Sequence, residues 1–227
     1  MTRLGRRRFT ALLLGSALGG CGGYEVKNLV KSDIDLVTDE FIIETRLLVR
    51  ELMSKFYARN PDQLLNGSLD TVEARLSQLQ DTPGPLSFRE LSFAQEIAAL
   101  ELVFQEEFTG DRVFALIVGL GGMLRRAYGY NTESYLFDTL DSEILSTSAR
   151  NIEILLWRLK NNRKSTGDPF LISSAYRGKI DNLSFERIFG KLIALEDMMS
   201  RIAGDAGDRR VTKVVHTASS VFIPLPI

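Results

Sequence analysis

The stretch from Ser32 to Arg59 constrains the fold more than any other. Ile34, Val37, Phe41, Leu48, Leu52 and Phe56 recur at spacings of three, four or seven, the signature of one face of an α-helix. Asn60-Pro61 closes the run. Ser32 with Asp35 three residues on gives a capping-box start. A helix near residues 33 to 59 is ~40 Å long at ~1.5 Å per residue. Its charged face carries Glu44, Arg50, Glu51 and Lys55, and the Glu51-Lys55 spacing of four favours a solvated ion pair.

The helical period continues downstream. Pro61 opens a further helical turn, and Leu69 to Leu79 makes a short helix before the breaker Asp81-Thr82-Pro83-Gly84-Pro85. Ser87 with Glu90 reads as a capping box, with Phe88, Leu91, Ile97, Leu100, Phe104 and Phe108 as the face that follows. Thr109-Gly110-Asp111 stops that helix and caps the next. Further helices are expected at 133 to 138, 141 to 161 and 183 to 203, with Asp141 and Asn182 or Ser184 as caps and Gly204 near the last stop. A terminal helix capped by Asp208, with Val211, Val214, Val215, Ala218 and Phe222 on one face, ends before Pro224. The expected fold is a single all-α helical-bundle domain of about seven helices, without internal repeats.

Val113-Phe114-Ala115-Leu116-Ile117-Val118-Gly119-Leu120-Gly121-Gly122 looks at first like a buried strand entering the glycine-rich turn of a dinucleotide site. The place of the third glycine is taken by Leu124, and no βαβ alternation surrounds it. The better reading is a core helix from 112 to 127 in which Ala115, Gly119 and Gly122 form a small-residue stripe for a neighbouring helix. Each helical glycine costs ~1 kcal/mol against Ala, a cost that close packing can offset.

The chain begins with Arg3, Arg6, Arg7 and Arg8, then about ten apolar residues, then Leu18-Gly19-Gly20-Cys21. The apolar part is too short to cross a bilayer, which takes ~20 residues, and fits a cleaved signal. Leu18, Gly19, Gly20 and Cys21 resemble the lipobox of bacterial lipoproteins, a resemblance that implies acylation of Cys21 and removal of residues 1 to 20. Cys21 is the one cysteine of the chain, so no intramolecular disulfide forms. Arg6-Arg7-Arg8-Phe9 resembles a twin-arginine export signal but lacks the usual Leu and Lys after Phe9; general secretion fits better. With Gly22 and not Asp after Cys21, the start resembles lipoproteins released to the outer membrane, a resemblance that implies its periplasmic face. Residues 21 to 31 then form the lipidated tether, and 32 to 227 the folded domain. Losing four arginines and no acids takes 28 basic residues to 24 against 29 acidic, so the formal charge moves from -1 to -5. An acidic exported domain does not suit nucleic-acid binding.

The catalytic inventory is thin. His216 is the one histidine, so no histidine-based zinc cluster can form; its place on the polar side of its helix makes it a solvated residue. No Gly-x-Ser-x-Gly elbow occurs. Glu96 with Glu101, and Asp138 with Asp141, are the paired carboxylates dense enough to consider. Asp205-Ala206-Gly207-Asp208 lacks the ligand run of a calcium loop and reads as a turn. Glu153 lies among Ile152, Ile154, Leu155, Leu156, Trp157 and Leu159, so it is expected to be buried and paired with Arg150.

The segments Gly110 to Tyr130, Tyr135 to Leu140, Ala149 to Leu159 and Asn182 to Asp197 resemble an uncharacterised family of predicted proteobacterial lipoproteins. The resemblance implies a location but no activity. The expectation is therefore a non-catalytic, membrane-tethered helical domain that binds a protein or lipid partner in the envelope, with no cofactor and no metal. The alternative is a carboxylate-dependent hydrolase of cell-wall or lipid material. Metabolic labelling with a palmitate analogue checks the anchor: the wild type should label and fractionate with membranes, and Cys21→Ala should do neither.

Overall fold

The computed structural model describes residues 31–135, 140–176, 179–180 and 183–221; residues 175–176, 179–180 and 206–221 are described in backbone alone. Cys21 and the residues expected to form the signal and lipobox lie outside the described residues. The chain is all-α. Six α-helices occur among the described residues: α1 (Asp33–Arg59), α2 (Val72–Asp81), α3 (Glu96–Val103), α4 (Arg112–Ala127), α5 (Ser142–Asn161) and α6 (Ser184–Val221). Two 3-10 turns, Pro61–Asn66 and Arg89–Leu91, and a two-residue antiparallel ribbon pairing Ala175–Tyr176 with Lys179–Ile180 complete them. No helix of the described residues is long and apolar enough to cross a membrane.

α4 lies at the centre. Every residue from Asp111 to Leu124 is buried, as befits a helix apolar on all sides. Its small-residue stripe does what its composition suggests. A Cβ on Gly119 would lie 2.7 Å from the Glu96 carbonyl oxygen and 2.6 Å from Leu100 Cγ, so α3 packs against α4 almost backbone to backbone. At Gly122 the nearest α3 atoms are 3.6 Å away, and the opposite face at Gly121 meets Leu86 and Val49. The Gly119-Leu120-Gly121-Gly122 run is thus helix interior, without the turn that a phosphate site needs.

Around it the helices are set by caps and aromatic packing. Ser32 and Asp35 make the full capping box of α1, Asp111 accepts from the Phe114 amide to start α4, and Asp141 accepts from the Glu143 and Ile144 amides to start α5. Asn60 ends α1 and pins the loop before α6, donating to Ile172 O and accepting from Ile172 N. α5 packs along α6, and Phe56 of α1 meets Phe185 and Phe189 of α6 at ring separations of 4.7 and 6.4 Å. Glu51 and Lys55 pair on the surface at 3.7 Å.

Several expectations give way to tertiary structure. The inward face of α1 runs through Asp35, Thr38, Ile42, Thr45, Leu48, Leu52 and Phe56, so Val37 is exposed and Phe41 half-buried. Polar residues occupy the N-terminal part of that face because Asp35 is held there by its cap and by the Ser134 hydroxyl. The helix expected from Ser87 is broken: Ser92 and Phe93 adopt positive φ values of 52° and 61°, and α3 starts only at Glu96. Glu90 caps nothing, because its carboxylate is taken by Arg75 and Ser68. Residues 133–135 are not helical, since the Ser134 amide donates to Asp39 instead; residues 136–139, with Asp138, lie outside the described residues. Asn182 lies outside them too.

Gly204 does not stop α6, which continues to Val221. Asp205-Ala206-Gly207-Asp208 is therefore helix and no turn, and Asp208 caps no separate helix. α6 packs along α5, passing Ser142 closely enough that a Cβ on Gly204 would lie 3.8 Å from its side chain, and that packing favours continuing the helix over a break. The apolar face expected from Val211 to Phe222 lies beyond the side chains described.

The Gly119 contact yields a direct test. Gly119→Leu should lower stability by ~1–3 kcal/mol or more through overpacking, read as a fall in the denaturant midpoint. An unchanged midpoint would mean that α3 can move away without cost.

Candidate functional site

The residues singled out from sequence do not converge. Glu96 accepts from the Tyr130 hydroxyl at 2.7 Å and pairs with Arg126 at 2.9 Å. Glu101 is held by both guanidinium nitrogens of Arg158, which depress its pKa below the usual carboxylate range. Each acid thus has its own arginine. Asp141 is occupied as a helix cap. Glu153 does pair with Arg150, but the pair is on the surface, with Ile154 and Trp157 exposed beside it. The burial expected for Glu153 fails because α5 turns only its Leu145, Ala149, Ile152, Leu155 and Leu159 stripe inward. The His216 side chain lies outside those described. Among the described residues, no group of His, Cys, Asp and Glu is placed to hold a metal.

A buried ionic node joins α1, α2 and α4. Arg75 is fully buried, bonds Glu90 through two nitrogens at 2.6 and 2.8 Å, and reaches Asp111 at 3.4 Å. Asp111 also accepts from the Tyr57 hydroxyl at 2.6 Å, and the Arg75 guanidinium lies 4.0 Å over the Phe114 ring. Burial raises the Asp111 and Tyr57 pKa values. Arg75 and Asp111 are buried and Glu90 reaches them from the partly exposed edge, so each charge has an opposite partner and the node serves architecture.

The open feature is a cleft of about 260 Å³ between α1, α2 and α4. Ile42, Val49, Leu79, Leu86 and Leu124 make its apolar walls, and Ile43 and Leu47 stand exposed at its lip. Its polar lining is basic: Arg46, Arg50 and Arg125 reach it, and no Asp or Glu does. Arg125 is anchored by the carbonyls of Leu79, Thr82 and Gly84 at 2.7, 2.7 and 3.1 Å, which caps the C-terminal end of α2. Arg46 donates to Asn131 O at 3.0 Å, and Arg50 to Gln80 at 2.8 Å. None of the three meets a carboxylate among the described residues. Burial lowers the pKa of both Arg46 and Arg125, and the nearness of Arg46 lowers that of Arg125 further. Two half-buried like charges side by side favour a shared anion.

Thr45 and Tyr128 also line the cleft, and both hydroxyls are buried without an aligned hydrogen bond. Next to Tyr128 sits Glu196 of α6, 0% exposed, with neither carboxyl oxygen hydrogen-bonded. Burial, reinforced by Asp197 and partly offset by the Tyr128 hydroxyl, pushes its pKa up to about 8. None of these residues carries a signal in the sequence. An arginine turned toward a cleft and one turned toward solvent read alike at helical spacing, and Glu196 falls in an otherwise ordinary amphipathic run.

No protein-family model, no curated protein and no solved structure matches the chain.

Glu196 makes stability depend on pH in a defined direction. Between its ordinary value of 4.5 and about 8, the folded chain keeps a proton that the unfolded chain releases. Stability therefore falls as pH rises through that window and levels off above it. Glu196→Gln should narrow the difference in melting midpoint between pH 5 and pH 8. An unaltered difference would mean that Glu196 ionises in the fold as it does in water.

Proposed function

We propose that this chain is a non-catalytic, membrane-tethered helical domain that binds a lipid or protein partner in the bacterial envelope, anchored through acylated Cys21 at the periplasmic face of the outer membrane. The observation that carries the binding reading is the cleft with exposed Ile43 and Leu47 at its lip, an apolar concavity with few, oriented polar groups of the kind ligand sites use. The tether rests on the resemblance of Leu18-Gly19-Gly20-Cys21 to a lipobox. A tether and a cleft work together: confinement at a membrane raises the local concentration of a membrane-derived or membrane-bound partner.

The hydrolase alternative draws no support from the geometry, because Glu96 and Glu101 are each engaged by a separate arginine. A photo-crosslinking amino acid placed at Leu47, 54% exposed on the lip, is compared in cells with one at Trp157, 61% exposed on α5. Adducts should form from position 47, fall when Cys21 is replaced by Ala, and be absent from position 157. Equal capture from the two positions would count against the cleft as the binding surface.

A further inference from the structure

The chemistry of the cleft narrows its ligand. The chain is acidic overall, yet the cleft lining holds three arginines and no acid. Arg46 spends one of its five N–H donors on Asn131, and its neighbour Arg125 is satisfied by carbonyl dipoles instead of an anion. The walls beyond them are aliphatic. The volume, about 260 Å³, lies just below the ~300–1,000 Å³ range of small-molecule sites, which suits a slender chain better than a folded domain.

We propose that the cleft binds a single-chain anionic amphiphile, its carboxylate or phosphate held by Arg46 with Arg50 and Arg125 and its hydrocarbon chain laid along Ile42, Val49 and Leu79. The inference rests on reading the chain as an envelope binding domain and specifies that domain's ligand. A guanidinium fork matches the two oxygens of a carboxylate or phosphate, and a half-buried setting strengthens the pairing relative to water. The exposed Ile43 and Leu47 place apolar surface where the chain of such a ligand would leave a bilayer and enter the cleft. Arg125 holds the end of α2 in either state, so Arg46 is the residue free to respond to the ligand.

The test uses the full chain in phosphatidylcholine nanodiscs with a diazirine-bearing dodecanoic acid as probe. Photolabelling should map to peptides containing residues 42–50 and 76–86. Excess dodecanoate or dodecyl phosphate should displace it; displacement at lower concentration by dodecanoate identifies a free fatty acid as the source, and at lower concentration by dodecyl phosphate a phospholipid-derived one. Dodecanol should not compete. Arg46→Ala should cut labelling at these peptides by about tenfold or more, the loss of one charge-assisted bond, and Arg46→Lys should restore part of it. Arg50→Ala, at an exposed position, should weaken labelling without loss of fold and keeps the test valid if Arg46→Ala unfolds. Equal competition by dodecanol, labelling scattered over other helices, or labelling unchanged in both arginine variants would overturn the proposal. So would a protein adduct at position 47 that excess dodecanoate leaves in place. Failure of Cys21 to label would remove the tether and leave this result untouched, so the two readings fail separately.

Discussion

A helix buried on every side must find a partner for every face, and α4 imposes that demand on the rest of the molecule. Its glycine face admits α3 to within contact of backbone atoms, while its Gly121 face receives Val49 and Leu86. Its ends govern two further helices. Arg112 donates to the carbonyls of Leu102, Val103, Gln105, Glu106 and Phe108 after α3, and Arg125 does the same for the end of α2. Both guanidiniums thus satisfy carbonyls that a helix end leaves open, and place positive charge where the helix dipole is negative.

The N-terminal end of α4 is tied just as firmly. Asp111 is at once the cap of α4, the acceptor for Tyr57 of α1 and a partner of Arg75 of α2. Taking Arg75 and Asp111 out of water is expensive, and their mutual attraction with Glu90 offsets much of that cost without making the node a large source of net stability. Its effect is on register: Arg75 reaches both Glu90 and Asp111 in one relative placement of the three helices. Even Gly67 belongs to this arrangement, since a Cβ there would meet Arg75 Nη2 at 1.9 Å.

The cleft follows from the same geometry. α1 and α2 meet α4 at its Arg125 end with Arg46 and Arg125 side by side, and the carboxylates that answer arginines elsewhere in the chain are committed to other contacts. Of the acids expected to form catalytic pairs, Glu96 and Glu101 are each engaged by a separate arginine and Asp141 caps α5, while Asp138 lies outside the described residues. Among the described residues the cleft forms a basic-lipped apolar groove, a shape suited to holding a molecule. Glu196, buried beside Tyr128, lies behind that groove and makes the wall it supports sensitive to pH.

The sequence by itself determined the elements whose causes are local. The helical period and the caps at Ser32, Asp111 and Asp141 fix the starts of α1, α4 and α5, Asn60-Pro61 fixes an end, and the Ala115-Gly119-Gly122 stripe announces a close helix contact, because each depends on residues within a turn or two of one another. Tertiary structure alone decided where the chain departs from those local rules. Glu90 leaves its capping role because a buried Arg75 needs a counter-charge more than a short helix needs a cap. Gly204 stays helical because α5 supplies the packing that an isolated glycine lacks, and Glu153 faces water because α5 has only one face to bury. The cleft belongs to this second class. Arg46 and Arg125 are 79 positions apart in the chain, and helical spacing says nothing of which way either faces until α1, α2 and α4 are packed.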